Sequence, residues 1–138
     1  MPQVSPHVPT VLLVDSTPDD RTMYAECLRI WGLNPVEIDN TADALHAAND
    51  ADVIVTGIRV HGPFDGLELV RRLRDRDSVY DRPIIVLTAC VSEADVQRAF
   101  AAGCDVYLPK PCLPDSLVSE IRTALARYRA SPSQQRSC

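Results

Sequence analysis

The sequence contains no hydrophobic run long enough to cross a bilayer, because its longest apolar stretch, around PIIVLTACV, is far shorter than the roughly 20 residues that a membrane helix needs. The first ten residues, MPQVSPHVPT, have no Lys or Arg and no apolar core of signal-peptide length. The five cysteines include no CxxC pair, and no His stands at zinc-finger spacing, so neither a disulfide framework nor structural zinc is indicated. These absences predict a cytoplasmic protein.

Motifs that bind nucleotides or build hydrolase sites are also missing. The chain has no GxGxxG, no GxxxxGK[ST] and no GxSxG motif. Nineteen Asp and Glu against fourteen Lys and Arg give a net charge of −5, which disfavours binding to nucleic acid through its phosphates. We therefore predict no enzymatic activity, no nucleic-acid partner and no membrane partner, and expect proteins or small ligands instead.

The length of 138 residues predicts one domain. Three of the eleven prolines fall in residues 1–9, and residues 130–138, ASPSQQRSC, are polar, so both segments are predicted to be flexible tails. The periodic body is residues 10–129. Only nine residues follow it, which predicts a stand-alone domain without an output domain.

Five strand-like segments alternate with five helix-like segments in this body. The strands are TVLLVD, NPVEID, DVIVTG, PIIVLT and CDVYLPK. In the first helix, Met23, Cys27 and Ile30 or Trp31 recur at spacings of three and four, which predicts its apolar face. Thr41 is the predicted cap of the second helix, and Ser92 the cap of the fourth.

Strands that alternate with helices predict an α/β fold with a doubly wound, five-stranded parallel sheet. In such sheets the functional residues lie beyond the carboxyl ends of the strands. The residues at those ends are Asp15 with Ser16, Gly57, Thr88 and Lys110.

Several segments resemble the receiver domain of bacterial two-component response regulators. VLLVDSTPDDR is similar to the family's first strand and helix start, FDGLELVRRLR to its third helix, PIIVLTA to its fourth strand, and GCDVYLPKP to its fifth strand and the loop beyond. The resemblance covers about residues 10–129. It implies a flavodoxin-like, CheY-like (βα)5 fold.

The resemblance also implies a set of site residues. Receivers take a phosphoryl group from a histidine kinase onto an Asp at the end of strand three, beside two acids that hold Mg²⁺. A Thr or Ser and a Lys contact the phosphoryl oxygens, and an aromatic residue on strand five changes rotamer. Asp15, Thr88, Tyr107 and Lys110 match these positions.

Two positions depart from the family pattern. Ser16 stands where the second metal-binding acid is expected, and Gly57 stands at the phosphoacceptor. Residues 53–64 contain no Asp or Glu, while Asp52 lies at the far end of the strand and Asp65 leads the next helix. An acyl phosphate needs a carboxylate, so the sequence predicts an atypical pseudo-receiver that is not phosphorylated at Gly57.

Metal binding is predicted to be weak or lost, because Mg²⁺ prefers carboxylates and phosphates and one Asp beside Ser16 is a poor ligand set. We therefore expect no cofactor. Asp15 is expected to pair with a cation of the chain, either Lys110 or Arg59.

Three functions remain open from the sequence. The first is a receiver that acts by protein contact without phosphorylation, its partner a histidine kinase or another signalling protein. The second is phosphotransfer through another acceptor, or competition for a kinase. The third is a small-anion binder beside Thr88 and Lys110. The resemblance points to helix four, strand five and helix five as the surface for a target or a homodimer.

Other features have two interpretations each. Tyr107 is either a half-buried strand residue or a switch. Cys90 and Cys112, predicted at one rim of the sheet, either pack or form a thiol switch. The arginines of RRLRDRD form a solvated helix face or a basic docking patch, and His61 is interpreted as an exposed loop residue.

Overall fold

The computed structural model describes residues 7–75, 80–90 and 92–130 of the chain. These residues form five strands and five helices, with a short 3₁₀ turn over Ala48–Asp50. The strands are β1 (Thr10–Val14), β2 (Asn34–Ile38), β3 (Val53–Thr56), β4 (Ile84–Thr88) and β5 (Val106–Pro109). The helices are α1 (Pro18–Ile30), α2 (Thr41–Ala47), α3 (Gly66–Arg74), α4 (Glu93–Ala102) and α5 (Pro114–Ala130).

The predicted tails fall largely outside the described residues, which exclude 1–6 and 131–138. Within the first tail, His7 Nε2 lies 2.8 Å from Asp52 Oδ2, and the carbonyl of Pro9 accepts a hydrogen bond from Asn34 N. The end of this segment is therefore attached to the sheet.

The sheet has the strand order β2-β1-β3-β4-β5, and all four neighbouring pairs are parallel. This order confirms the predicted doubly wound, five-stranded α/β fold. It also brings the carboxyl ends of β1 and β3 together at the centre of one edge, where the strand order reverses.

Two apolar clusters cover the two faces of the sheet. Alternate side chains of each strand enter opposite clusters, so Leu12 and Ile54 pack with α2, α3 and α4, while Leu13 and Val55 pack with α1 and α5. β3 and β4 are consequently buried at every position and β1 at every position but Thr10, which explains their continuous apolar sequences.

The prediction of which face of α1 packs against the core is wrong. The residues of this helix that are buried are Tyr24, Ala25 and Leu28, whereas Ile30 is 80% exposed and Trp31 52% exposed. Tyr24 Oη donates a hydrogen bond to the carbonyl of Cys112, which precedes α5, at 2.7 Å. This contact and the packing of the adjacent small Ala25 turn the Tyr24–Leu28 side of the helix toward the sheet.

Side-chain hydrogen bonds to the backbone cap the first turns of α2 and α4. Asn40, not Thr41 as predicted, caps α2, because its side chain accepts a hydrogen bond from Asp43 N at 2.8 Å. The predicted cap of α4 is confirmed, since Ser92 Oγ accepts from Asp95 N at 3.1 Å. Thr41 is the first helical residue and is buried.

The arginines of α3 pair mainly with acids and carbonyls. Arg71 and Arg72 both contact Glu68, and Arg74 Nη2 lies 2.8 Å from Asp105 Oδ2. These pairs favour the interpretation of a charged, solvated face, although Arg76 and Asp77 lie outside the described residues.

In the described part of the chain, no helix is both long and apolar enough to span a membrane.

Candidate functional site

A cavity of about 120 Å³ lies at the carboxyl edge of the sheet, beside Gly57. Its lining comes from the ends of four strands and the loops that follow them: Asp15, Thr17, Gly57, Ile58, Arg59, Leu87, Thr88, Ala89, Cys90 and Lys110. The topology thus gathers Asp15, Gly57, Thr88 and Lys110 around one space. Asp15 is the one acid in this lining.

Lys110 joins two carboxylates at the edge of the cavity. Its Nζ lies 2.8 Å from Asp15 Oδ2 and 2.8 Å from Asp20 Oδ2. The Lys110 and Asp15 side chains are only 15% and 9% exposed, so water screens their contact weakly. Burial works to lower the pKa of Lys110, but the hydrogen bonds to both carboxylates outweigh it and hold the pKa above its usual value.

Lys110 is therefore the cation that contacts the carboxylate of Asp15, while Arg59, the other cation considered, lines the cavity. Asp20 is a residue that the sequence reasoning missed. The sequence feature that could have identified it is the DD pair of VLLVDSTPDDR, which places a second carboxylate on the first turn of α1.

Both carboxylate oxygens of Asp15 have partners. Oδ1 accepts a hydrogen bond from Thr17 N at 2.8 Å, and Oδ2 accepts from Lys110. The main-chain oxygen of Asp15 also accepts from Arg21 Nη1 at 2.7 Å. These bonds satisfy a residue that is 7% exposed and fix its side chain in one orientation.

Ser16 connects three loops. Its hydroxyl accepts a hydrogen bond from His61 N at 2.7 Å and donates to the carbonyl of Asp39 at 3.4 Å. His61 O in turn accepts from Thr41 N at 2.9 Å. The hydroxyl therefore ties the β1–α1 loop to the β2–α2 and β3–α3 loops, and Ser16 is not among the residues that line the cavity.

The β3–α3 loop packs closely against the start of α2. Gly62 has φ +127, and a Cβ added there would meet Thr41 Oγ1 at 2.4 Å. Thr41 Oγ1 also donates to the carbonyl of Phe64 at 2.7 Å. His61, in the same loop, is exposed as expected. The loop thus reaches across to α2 through a position that only glycine fits.

Gly57 follows the last residue of β3, and its N–H donates to Val14 O at 3.0 Å. Its φ lies outside the left-handed region, and an added Cβ would meet Leu87 O and Val60 Cγ2 at ordinary contact distances of 3.6 Å. Neither the backbone conformation nor the space around Gly57 requires a glycine.

The acids that precede and follow Gly57 along the chain, Asp52 and Asp65, form hydrogen bonds away from position 57. Asp65 caps α3 by accepting a hydrogen bond from Glu68 N at 2.9 Å. Asp52 Oδ2 accepts from Thr10 N at 2.7 Å, at the opposite end of the sheet. Thr56, beside Gly57, is fully buried and donates to Gly57 O.

Thr88 lies at the end of β4 and lines the cavity, whereas Tyr107 lies on β5 and is not among the lining residues. Thr88 is 5% exposed, and its Oγ1 accepts a hydrogen bond from Cys90 N at 3.2 Å. Tyr107 is half-buried and packs on the α2–α4 side of the core. Its hydroxyl is buried with no hydrogen-bond partner among the described residues, and burial raises the pKa of that hydroxyl.

The two cysteines of this rim lie on opposite faces of the sheet. Cys90 lines the cavity and packs against the α2–α4 cluster, whereas Cys112 packs against the α1–α5 cluster. Burial raises the pKa of the Cys112 thiol. This placement favours packing over a thiol pair.

In the described part of the chain, no group of three or more His, Cys, Asp and Glu side chains is arranged to hold a metal ion.

Comparisons with known proteins agree on the fold and the family. Residues 11–122 match the response regulator receiver domain model. The phosphate regulon transcriptional regulatory protein PhoB of Pseudomonas aeruginosa is 34% identical over 127 residues, which are 91% of this chain and 55% of PhoB. The DNA-binding response regulator MtrA of Mycolicibacterium smegmatis is 30% identical over 129 residues, 92% of this chain and 55% of MtrA.

A solved structure, chemotaxis protein CheY4 of Vibrio cholerae, superposes with a TM-score of 0.77 at 27% identity, covering 86% of this chain and 99% of CheY4. The chain spans about half the length of the curated relatives it matches. The match over residues 11–122 spans the six positions singled out from the sequence, Asp15, Ser16, Gly57, Thr88, Tyr107 and Lys110. The chain therefore belongs to the response regulator receiver domain family.

Proposed function

We propose that this chain is an atypical receiver that is not phosphorylated at Gly57 and signals through contacts with other proteins. The observation that carries the proposal is the cavity beside Gly57, in which the one lining acid, Asp15, is already bound to Lys110. An acyl phosphate forms on a carboxylate, and glycine has none. The acids that precede and follow Gly57 along the chain, Asp52 and Asp65, form their hydrogen bonds outside the cavity.

Mg²⁺ binding is weak or lost under this proposal, because the residues present do not fit the ion. Mg²⁺ sheds water reluctantly and prefers carboxylate or phosphate ligands in octahedral geometry. Both oxygens of Asp15 are engaged, and the hydroxyl of Ser16 is used to tie His61 and Asp39. Lys110 supplies the positive charge next to Asp15 and Asp20 in place of a metal.

The proposed partners are signalling proteins, including a histidine kinase for which this chain competes without accepting a phosphoryl group. Phe100 on α4, 48% exposed, supports the α4–β5–α5 surface as a contact site for a target or a second copy. The expectation of no nucleic-acid partner stays a prediction, because MtrA is named as DNA-binding and this chain spans about half its length.

A small anion in the cavity is the second candidate. Arg59 lines the cavity, and the space next to Gly57, Thr88 and Lys110 is about 120 Å³. Inorganic phosphate that shifts the Thr88 and Cys90 amide resonances saturably, and fails to do so after Arg59→Gln, supports this candidate. Absence of such shifts removes it.

Amide NMR spectra test the main proposal by following resonances of α4 and β5 rather than of the cavity. We expect acetyl phosphate with Mg²⁺ to leave the resonances of Tyr107 and Phe100 unchanged in the native chain. A Gly57→Asp, Ser16→Asp double variant, which regains both missing acids, is the matched control and should respond. A native chain whose α4 and β5 resonances shift with the donor contradicts the proposal.

A further inference from the structure

A second cavity lies at the amino edge of the sheet, where β4 and β5 begin. It encloses about 320 Å³, a volume in the range of cavities that bind small molecules. The residues at the starts of these two strands form one side of it, and the end of α5 forms the other. The cavity beside Gly57 lies at the opposite end of β4, a strand length or about 15 Å away. The two cavities are therefore separate.

Part of the lining of this amino-edge cavity is apolar. Pro83 and Ala124 are buried there, and Val106 is half-buried. Tyr128 is half-buried and follows Ala124 by four residues, so both lie on one face of α5. An apolar or flat molecule would displace water from these groups, and the ring of Tyr128 would attract a positive charge.

Two carboxylates of the lining have an oxygen that no donor contacts among the described residues. Asp105 Oδ2 accepts hydrogen bonds from Ile84 N at 2.9 Å and Arg74 Nη2 at 2.8 Å, whereas Asp105 Oδ1 has no such partner. Asp81 Oδ1 lies 3.4 Å from Tyr128 Oη, and Asp81 Oδ2 has none. Both carboxylates can therefore accept further hydrogen bonds from a ligand.

The charges around the cavity favour a positive ligand. Asp81 and Asp105 carry two negative charges, and the carbonyl groups at the end of α5 add a partial negative charge. Among the described lining residues, Arg127 is the one base, and it is exposed, so its guanidinium can remain in water. The balance at the cavity is consequently negative.

We propose that the amino-edge cavity binds a small organic cation, with a flat, largely apolar body that ends in an amidinium or guanidinium group. The planar, charged end matches the geometry of a carboxylate and would bond to Asp81 and Asp105. The apolar body would cover Pro83, Val106 and Ala124. A metal ion does not fit, because no group of three or more acidic, His or Cys side chains in the described part of the chain is arranged to hold one.

Benzamidine is a suitable probe, because it places one amidinium group on a phenyl ring. Benzamide has the same shape without the charge, and benzoate carries the opposite charge. We expect benzamidine to shift the amide resonances of Val106, Ala124 and Tyr128 saturably in NMR titrations. Benzamide and benzoate should bind at least about tenfold more weakly.

Three variants locate the contact. Asp81→Asn keeps the size of the side chain, removes its charge and should weaken benzamidine binding at least about fivefold. Arg127→Gln removes the competing positive charge and should strengthen binding. Asp19→Asn, a matched change on the exposed first turn of α1, should leave the affinity unchanged. Circular dichroism should show an unchanged fold in Asp81→Asn, since Asp81 is exposed.

Several results would overturn the inference. They are no saturable shift with benzamidine, equal affinity for benzamidine and benzamide, or equal weakening by Asp81→Asn and Asp19→Asn. Benzoate that binds more tightly than benzamidine and loses its affinity in Arg127→Gln would assign the cavity to an anion instead. This site goes beyond the proposed function, and no phosphoryl donor is present in the titrations. Their failure would therefore leave the proposal about Gly57 standing.

Discussion

Position 57 has room for a side chain that the sequence does not supply. An added Cβ would meet its nearest neighbours at 3.6 Å, and the backbone there is one that any residue adopts. Gly66 is the opposite case, since its Cβ would meet the carbonyl oxygen of Gly57 at 1.7 Å. The backbone and the space at Gly57 do not require a glycine, whereas Gly66 lets the chain of α3 approach the end of β3.

Alanine substitutions at the two glycines should have opposite effects on stability. Gly57→Ala should raise the free energy of unfolding by about 0.4–1 kcal/mol, because it restricts the unfolded chain without strain in the folded one. Gly66→Ala should lower it by more than about 1 kcal/mol, because backbone atoms must move. Urea denaturation of both variants measures the difference. A Gly57→Ala variant that unfolds more easily than the native chain contradicts the account of position 57.

At the residue scale, the sequence left Lys110 and Arg59 open as the cation that pairs with Asp15, and it did not reveal the contacts of Asp20 and Ser16. Asp20 could be assigned only once the helix had placed it beside Lys110. From the sequence, Ser16 was noted only because it stands where the resemblance leads one to expect an acid. Its bonds to His61 and Asp39 depend on how three loops meet. Long-range contacts between loops leave no periodic pattern in a sequence.

At the scale of elements, the alternation of strands and helices was predictable and the orientation of α1 was not. The strands β1, β3 and β4 are apolar runs because both faces of the sheet are covered there, which is a strong local signal. The first helix has apolar residues on two sides, and its pattern alone does not tell which side packs. Tyr24 decides it, through a buried ring and a hydrogen bond to Cys112.

The loop connection made by Ser16 predicts a local change in dynamics. Ser16→Ala removes the acceptor of the His61 N–H, a bond of about 0.5–1.5 kcal/mol. The His61 amide should therefore exchange with solvent several-fold faster, as measured by NMR hydrogen exchange. Ser116→Ala, at the exposed start of α5, is the control and should leave His61 exchange unchanged. Unchanged exchange at His61 in Ser16→Ala would show that the connection does not hold the loop.

At the scale of the molecule, the Lys110 contacts link stability to pH. The pKa of Lys110 is raised in the folded chain, so its contribution to stability is complete below the unfolded value of about 10.5 and is lost as pH rises through the folded pKa. We expect the difference in unfolding free energy between the native chain and Lys110→Met to shrink above about pH 10.5. Urea titrations from pH 8 to 11 measure it. A difference that stays constant or grows over that range contradicts the charged contact.

The whole fold was predictable because several local signals agree in order along the chain, whereas its surfaces were not. The sequence resemblance pointed to α4, β5 and α5, and the exposure of Ile30 and Trp31 emerged only from the orientation of α1. Surfaces depend on which residues the core leaves outside. The packing of the whole molecule determines which residues those are.

The most direct test of the central claim is the intact mass of the protein after incubation with acetyl phosphate and Mg²⁺. The native chain should gain no phosphoryl group, whereas Gly57→Asp should gain one, and Gly57→Asp with Ser16→Asp should gain it faster because a second acid favours Mg²⁺. A native chain that gains the phosphoryl mass would contradict the account, and mapping the modified residue would then identify another acceptor.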